Sequence, residues 1–246
     1  MKNKVKFNDK NNEILSLSPY TSTKRYEKPK QVFIFALQEI ERFFRSKKTL
    51  TLVDIGCANG EYLYYVKKNH PQWQLFGYDF MPEFIQTAKQ YPGLQGVYLE
   101  TMNFFNLKKK FDIVCCFGTF PIFPDIKKPL KKLLNLCKND GLLVVDGLFN
   151  KFDIDVVNSY RDNSRPESKN IWRVDFNQHS QKTVSDFLRG KVREVEFKKI
   201  PFNVDIPYGP QNPHANVFTI KDAKGKRLLT NGMNLLLNPT LLLIHK

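Results

Sequence analysis

The chain has 246 residues, of which 41% are hydrophobic and 26% charged. A chain of this length forms one or two domains and buries roughly 70% of its unfolded surface without staples, and its balanced composition excludes a disordered, collagen-like or coiled-coil polypeptide. The net charge of +15 raises nucleic acid or anionic membranes as partners.

That excess comes from 30 lysines against 9 arginines, and its longest run is only Lys108 to Lys110. Nucleic-acid sites favour arginine for bidentate contacts. A solvated basic face therefore outweighs nucleic-acid binding as the reading of the charge. The polar start of the chain has no leader-like apolar stretch, and no run of about 18 apolar residues suggests a membrane span. Cys57, Cys115, Cys116 and Cys137 form no C-x-x-C pair, so no metal is expected. Reduced thiols point to a cytoplasmic protein.

In chain order, residues 1–49 read as a polar arm followed by a cap helix. That helix starts near Pro29 and carries Ile34, Leu37, Ile40, Phe43 and Phe44 at helical spacing. A short apolar strand runs from Leu50 to Ile55, and a helix from Glu61 to Asn69. A second strand spans Trp73 to Tyr78 and ends at Asp79. Pro82 opens a helix to Gln90. Gly96–Leu99 and Phe111–Phe117 are further strands, the latter apolar apart from Asp112 and so covered on both faces. A helix over Pro129–Cys137, a turn at Asn139-Asp140-Gly141 and a strand over Leu142–Val145 complete residues 50–149. This alternation predicts a doubly wound α/β fold with a parallel sheet and right-handed crossovers. Residues 150–180 interrupt the pattern and read as an insertion over the substrate. Residues 181–246 resume it with a helix from Thr183, a strand over Val192–Ile200 and two terminal apolar runs, expected to add an antiparallel hairpin.

The stretch Leu52-Val53-Asp54-Ile55-Gly56-Cys57-Ala58-Asn59-Gly60-Glu61 carries the chemistry. It is a buried strand, a small-residue turn and a helix start, at a strand end where α/β proteins bind ligands. The glycine spacing is not that of a dinucleotide or P-loop motif. An acid at Asp54 is wrong for phosphate and right for an ammonium group. Asp79, nineteen residues after Gly60, is placed to accept hydrogen bonds from ribose hydroxyls.

With these residues the chain resembles the class I S-adenosylmethionine (SAM)-dependent methyltransferases. Asp54–Gly60 looks like the first motif of that family, Asp79 like its ribose-binding acid, Phe111–Phe117 like its fourth motif and Asn139–Asp146 like the region near its sixth. The resemblance covers about residues 50–148. It implies a Rossmann-like, doubly wound seven-stranded sheet, mostly parallel, and SAM as cofactor. The implied cofactor contacts are Asp54, Gly56, Cys57, Ala58, Gly60, Asp79, Phe80, Met102, Asn103, Phe117 and Gly118. Asn103 stands where the family usually places an acid against adenine, which is a departure.

Methyl transfer rests mainly on alignment of the acceptor and exclusion of water, and a base helps a hydroxyl acceptor. Asp146, His179 and His214 are the candidate bases. Tyr20 and Tyr26 are placed to form a lid, and Tyr160, Arg161 and Arg173 to clamp an acceptor, which could be anionic. Phe117-Gly118-Thr119-Phe120-Pro121 replaces the N-P-P-Y motif of amino-directed members. A loose similarity to small bacterial enzymes of surface-polysaccharide clusters favours O-methylation of a sugar or phosphorylated building block. RNA methylation and a non-catalytic SAM-fold protein are the alternatives.

Overall fold

A computed structural model describes residues 23–45, 49–161, 163, 172–209 and 217–246. Five β-strands alternate with helices along the first part of the chain. They are β1 (Thr51–Ile55), β2 (Gln74–Asp79), β3 (Tyr98–Thr101), β4 (Phe111–Cys116) and β5 (Cys137–Asn150). The intervening helices are α1 (Gln31–Phe43), which precedes β1, then α2 (Glu61–Asn69), α3 (Pro82–Gln90) and α4 (Lys127–Leu136). Local chemistry sets several ends. Pro82 occupies the first turn of α3 beside Glu83, where its missing N–H costs nothing and a carboxylate favours the helix N-terminus.

The remaining elements are short ribbons β6 (Ser159–Tyr160) and β7 (Arg173–Val174), then β8 (Gln178–Ser180), α5 (Gln181–Leu188) and β9 (Glu194–Lys199). They are followed by β10 (Val217–Lys221), β11 (Arg227–Asn231) and β12 (Pro239–His245). The main sheet has the order β3-β2-β1-β4-β5-β12-β9. Strands β3, β2, β1, β4 and β5 are parallel, and β12 runs antiparallel to both β5 and β9.

The mostly parallel, doubly wound architecture agrees with the sequence expectation, and three details refine it. The seven expected strands are joined by an eighth, β8, paired in parallel with the far end of β5 at Leu148–Asn150. The two terminal apolar runs do not form one hairpin in the sheet. Only β12 enters it, whereas β11 pairs with β10 in a separate ribbon. That ribbon places Leu229 with Leu237 against Leu148 in a small satellite core. The expected turn at Asn139–Gly141 is absorbed into β5 as an irregularity opposite Phe111–Ile113, with Asp140 in the left-handed region at φ 62°.

Two apolar layers sandwich the sheet. On one face Phe33, Ala36, Leu37 and Ile40 of α1 pack with Leu63 and Val66 of α2 over Leu52, Ile113, Val144 and Leu243. On the other, Leu130, Leu133 and Leu134 of α4 and Val184 and Leu188 of α5 cover Val53, Val114, Val145 and Leu242. Helix α1, expected as part of a cap, is therefore a core helix. Burial on both sides explains the apolar runs Leu52–Ile55, Phe111–Cys116 and Leu142–Val145, broken only by Asp54 and Asp112.

Candidate functional site

The carboxyl ends of β1, β2, β4 and β5 converge on one edge. Beyond β1 the chain turns through Gly56 (φ 74°), Ala58 (φ 46°) and Gly60 (φ 84°), three left-handed residues at alternate positions. Such alternation exposes successive backbone N–H groups. Gly56 N–H and Cys57 N–H donate to the Tyr78 carbonyl at 2.8 and 3.2 Å, which fixes the loop to the end of β2. A Cβ at Gly56 would collide with the Thr119 hydroxyl beyond β4, so glycine is required by both backbone sign and space.

Asp79 ties this loop to the next. Its Oδ2 accepts from Ala58 N–H and its Oδ1 from Met81 N–H, both at 2.9 Å. Burial pushes its carboxyl up, against the opposing pull of these N–H groups. Each oxygen keeps a second acceptor direction. Phe80 follows and is half exposed, a flat apolar surface beside the carboxylate. Met102 N–H donates to the Asp79 carbonyl at 2.8 Å, bringing the end of β3 alongside. Asn103 Oδ1 accepts from Phe105 N–H at 3.0 Å and so caps the turn after β3.

Asp54 lies beneath the loop with only 3% of its surface exposed, and its Oδ1 has no hydrogen-bond partner among the described residues. Burial drives its carboxyl well above the usual range, reinforced by Asp79, while Lys30 opposes the shift. A buried, unpartnered carboxylate is costly unless a cation or donor reaches it.

Beyond β4, Phe117 packs edge-on against Tyr62 (ring centroids 4.7 Å) and Phe33 (5.7 Å). Gly118 follows at φ 64°, and a Cβ there would meet nothing within 4 Å. Its N–H donates to Asp146 Oδ1 at 2.7 Å, joining the ends of β4 and β5. Burial raises the Asp146 carboxyl to about 6, with the Gly118 N–H and Lys30 working against the shift.

Residues 25–30 form a strap over the loop. Tyr26, expected as a lid residue, is buried, stacks on Tyr91 at 3.8 Å and donates its hydroxyl to the Asn59 carbonyl at 2.6 Å. Arg25 and Lys30 both pair with the buried Glu61 at the start of α2. Sequence reasoning missed Arg25, Lys30 and Glu61. The only available signal was a basic cluster flanking Tyr26 and an acid directly after Gly60.

The other candidates disperse. Tyr20 and His214 lie outside the described residues. His179 is 2% exposed, with Nε2 3.0 Å from the Phe123 carbonyl and Nδ1 3.9 Å from Asp155. Burial lowers its pKa. The imidazole therefore braces the turn after β4 from behind and does not open onto the acceptor side. Tyr160 and Arg173 sit opposite each other across the β6–β7 ribbon, and the Arg173 side chain is buried. Arg161 lies 5.5 Å from the exposed ring of Trp172. The expected three-residue clamp is thus divided between an interior and a solvent side. The insertion still borders the site edge, because Val156 bridges Gln178 and Asn177 N–H donates to the Pro121 carbonyl at 3.0 Å.

A family model described as a methyltransferase domain matches residues 53–143, from β1 into β5. The fold is that of a class I methyltransferase. A putative methyltransferase of Haloferax volcanii, solved with its methyltransferase activator, superposes with a TM-score of 0.59 at 15% identity, over 93% of this chain and 95% of that one. The YcgJ protein of Bacillus subtilis gives 0.55 at 15% identity, over 87% and 98%. A SAM-dependent methyltransferase of Clostridium acetobutylicum gives 0.55 at 13%, over 93% and 96%.

Among curated proteins, malonyl-(acyl-carrier protein) O-methyltransferase of Bacillus anthracis is 22% identical over 110 residues, 44% of this chain and 41% of the relative. The Ilyobacter polytropus enzyme of that name is 26% identical over 133 residues, 52% of this chain and 49% of the relative. The chain thus spans less than half the length of the curated relatives it matches. The cofactor of a methyltransferase domain of this kind is SAM, and the residues present fit it. The orphaned Asp54 oxygen suits an ammonium group, the Asp79 carboxylate suits a ribose, and no side chain among the described residues fills the space before Gly118. No helix among the described residues is long and apolar enough to cross a membrane.

Proposed function

We propose that the chain transfers the methyl group of SAM to a small-molecule acceptor bound over the ends of β4 and β5. The observation that carries this reading is Asp54, a buried carboxylate with an unpartnered oxygen under a loop of left-handed residues. It calls for a ligand that bears an ammonium group and no phosphate at this point. Asp54 would take the amino end of the cofactor and Asp79 its ribose. Phe80, Met102 and Asn103 would flank its base, with Gly56, Cys57, Ala58 and Gly60 beneath it and Phe117 and Gly118 at its reactive end. The bound cofactor supplies an activated methyl group on a sulfonium. The protein orients the acceptor and excludes water.

The narrower reading is O-methylation of a sugar or phosphorylated building block of a bacterial surface polysaccharide by a cytoplasmic enzyme. The missing N-P-P-Y motif supports an oxygen acceptor, and four buried free cysteines support a reducing compartment. The curated relatives bring a carrier-protein-bound acyl group as the competing acceptor. Calorimetric titration with S-adenosylhomocysteine tests the cofactor assignment. Binding is expected to be lost in Asp54→Ala and weakened in Asp79→Ala, and a folded wild-type protein that releases no heat and shows no thermal shift refutes it.

A further inference from the structure

The carboxyl end of β5 is where the acceptor would meet the methyl group, and Asp146 holds it. One oxygen of Asp146 is fixed by the Gly118 N–H at 2.7 Å, and the second has no protein partner among the described residues. The side chain is set deep but still partly open to solvent. In front of it lies Gly118, whose left-handed backbone leaves open space where any other residue would project a side chain. The groups that face Asp146 are few. Asp54 approaches from β1, the Cys116 thiol from β4 and Lys30 from the strap, while β12 presents the apolar Leu241. His179, the other described candidate, has both ring nitrogens turned to Phe123 and Asp155.

We propose that Asp146 is the base of the reaction and that the acceptor is a neutral hydroxyl, not a carboxylate. The inference rests on the methyltransferase reading above. As the acceptor oxygen bonds to the methyl carbon, the carbon–sulfur bond breaks with its electron pair going to sulfur. The hydroxyl proton passes to the free oxygen of Asp146 and from there to solvent. A carboxylate acceptor has no proton to give. It would also bring a third negative charge beside Asp54 and Asp146, where like charges at short range are unfavourable. A buried carboxyl raised to about 6 is mostly ionised at neutral pH and still a far better base than an exposed one. This assignment separates the protein from curated relatives named for a malonyl acceptor.

The first experiment needs no acceptor. Calorimetric affinities for SAM and S-adenosylhomocysteine are measured from pH 5 to 8 in the wild type and in Asp146→Asn. The ratio of the two isolates the sulfonium charge. It is expected to rise on the order of tenfold through about pH 6 in the wild type, as for opposite charges several ångströms apart in a half-buried site, and to stay flat in the variant. A flat wild-type ratio places Asp146 away from the methyl group and overturns the proposal. The second experiment offers radiolabelled SAM with methyl hexosides, nucleotide sugars and phenols, and separately with a malonyl thioester. Turnover is expected on a hydroxyl compound alone, with Asp146→Asn slower by about 10²–10⁴-fold at unchanged S-adenosylhomocysteine affinity. Methylation of the malonyl thioester, or an Asn variant as fast as the wild type, overturns the proposal. Absence of binding for both cofactor forms in the wild type would instead remove the methyltransferase reading itself.

Discussion

Gly56→Ala is the sharpest perturbation of the site, because two separate penalties meet at one atom. The backbone sits at φ 74°, and an L-residue there costs about 1–2 kcal/mol. The new methyl group would also collide with the Thr119 hydroxyl, with the Thr119 Cβ and Cγ2 at 3.4 and 3.5 Å leaving it little room to turn. Overpacking of this kind costs about 1–3 kcal/mol. The sum is a loss of about 2–5 kcal/mol in unfolding free energy. Thr119→Ala alone gives up the hydrogen bond from its hydroxyl to the Phe117 carbonyl, 3.3 Å long, worth about 0.5–1.5 kcal/mol.

The double variant separates the two penalties. Removing Thr119 relieves the collision and leaves the backbone strain, so the double variant should be about 1–3 kcal/mol more stable than the sum of single effects predicts. Urea unfolding of the four proteins measures this coupling. S-adenosylhomocysteine affinity should follow the same order, because the displaced loop is the one proposed to carry the cofactor. Additivity within about 0.5 kcal/mol, or a Gly56→Ala cost below about 1 kcal/mol, would refute the close approach of the β1 and β4 turns.

Other consequences follow from the buried acids and the strap. Asp146 is an acid whose folded pKa, about 6, lies above its ordinary value. Its contribution to stability is therefore full below about pH 4 and lost as pH rises through 6, amounting to about 3 kcal/mol. Urea midpoints of the cofactor-free protein at pH 4 to 7 should show this decline, and Asp146→Asn should flatten it. An unchanged slope in the variant would contradict the burial of Asp146. Tyr26→Phe removes the hydroxyl bond to the Asn59 carbonyl and should lower stability by about 1 kcal/mol, with faster amide exchange in residues 57–60. Unaltered exchange would show that the strap does not hold the loop. His179→Ala should cost about 2–4 kcal/mol of stability and leave S-adenosylhomocysteine affinity within twofold. A selective loss of binding at full stability would reverse the structural role assigned to it.

The sequence made the fold legible where one residue pattern admits one solution. Leu52–Ile55 and Phe111–Cys116 are apolar apart from Asp54 and Asp112 and too short for buried helices, which marks them as central strands. The loop Gly56–Gly60 and the acid at Asp79 were legible because they belong to a local strand-turn-helix unit. What remained hidden depends on long-range pairing. Nothing in Leu228–Asn231 distinguishes a strand of the main sheet from one paired with Val217–Lys221, since both bury the same leucines. Arg161 and Arg173 look alike in sequence, yet Arg173 is buried in β7 opposite Tyr160 while Arg161, just beyond β6, is exposed. The strap was illegible for the same reason. Arg25 and Lys30 acquire meaning only through Glu61, more than thirty residues away.

The charge of the chain changes meaning once the site is placed. The whole carries +15, yet Asp54, Asp79 and Asp146 gather three carboxylates at the edge where the ligand would sit, with Lys30 a cation that opposes the shifts of Asp54 and Asp146. Burial raises all three, so each would gain from a cation beyond the backbone N–H groups that Asp79 and Asp146 already accept from. A ligand with an ammonium and a sulfonium would supply such charge, whereas its neutral thioether product would keep only the ammonium. On the proposed placement the site would hold SAM more firmly than S-adenosylhomocysteine wherever Asp146 is ionised, which would favour release after transfer. A nucleic-acid phosphate approaching the same edge would meet the opposite field. The surface lysines do not alter this, because charges more than about 8–10 Å away across water are screened at physiological salt, while the buried carboxylates act at contact range.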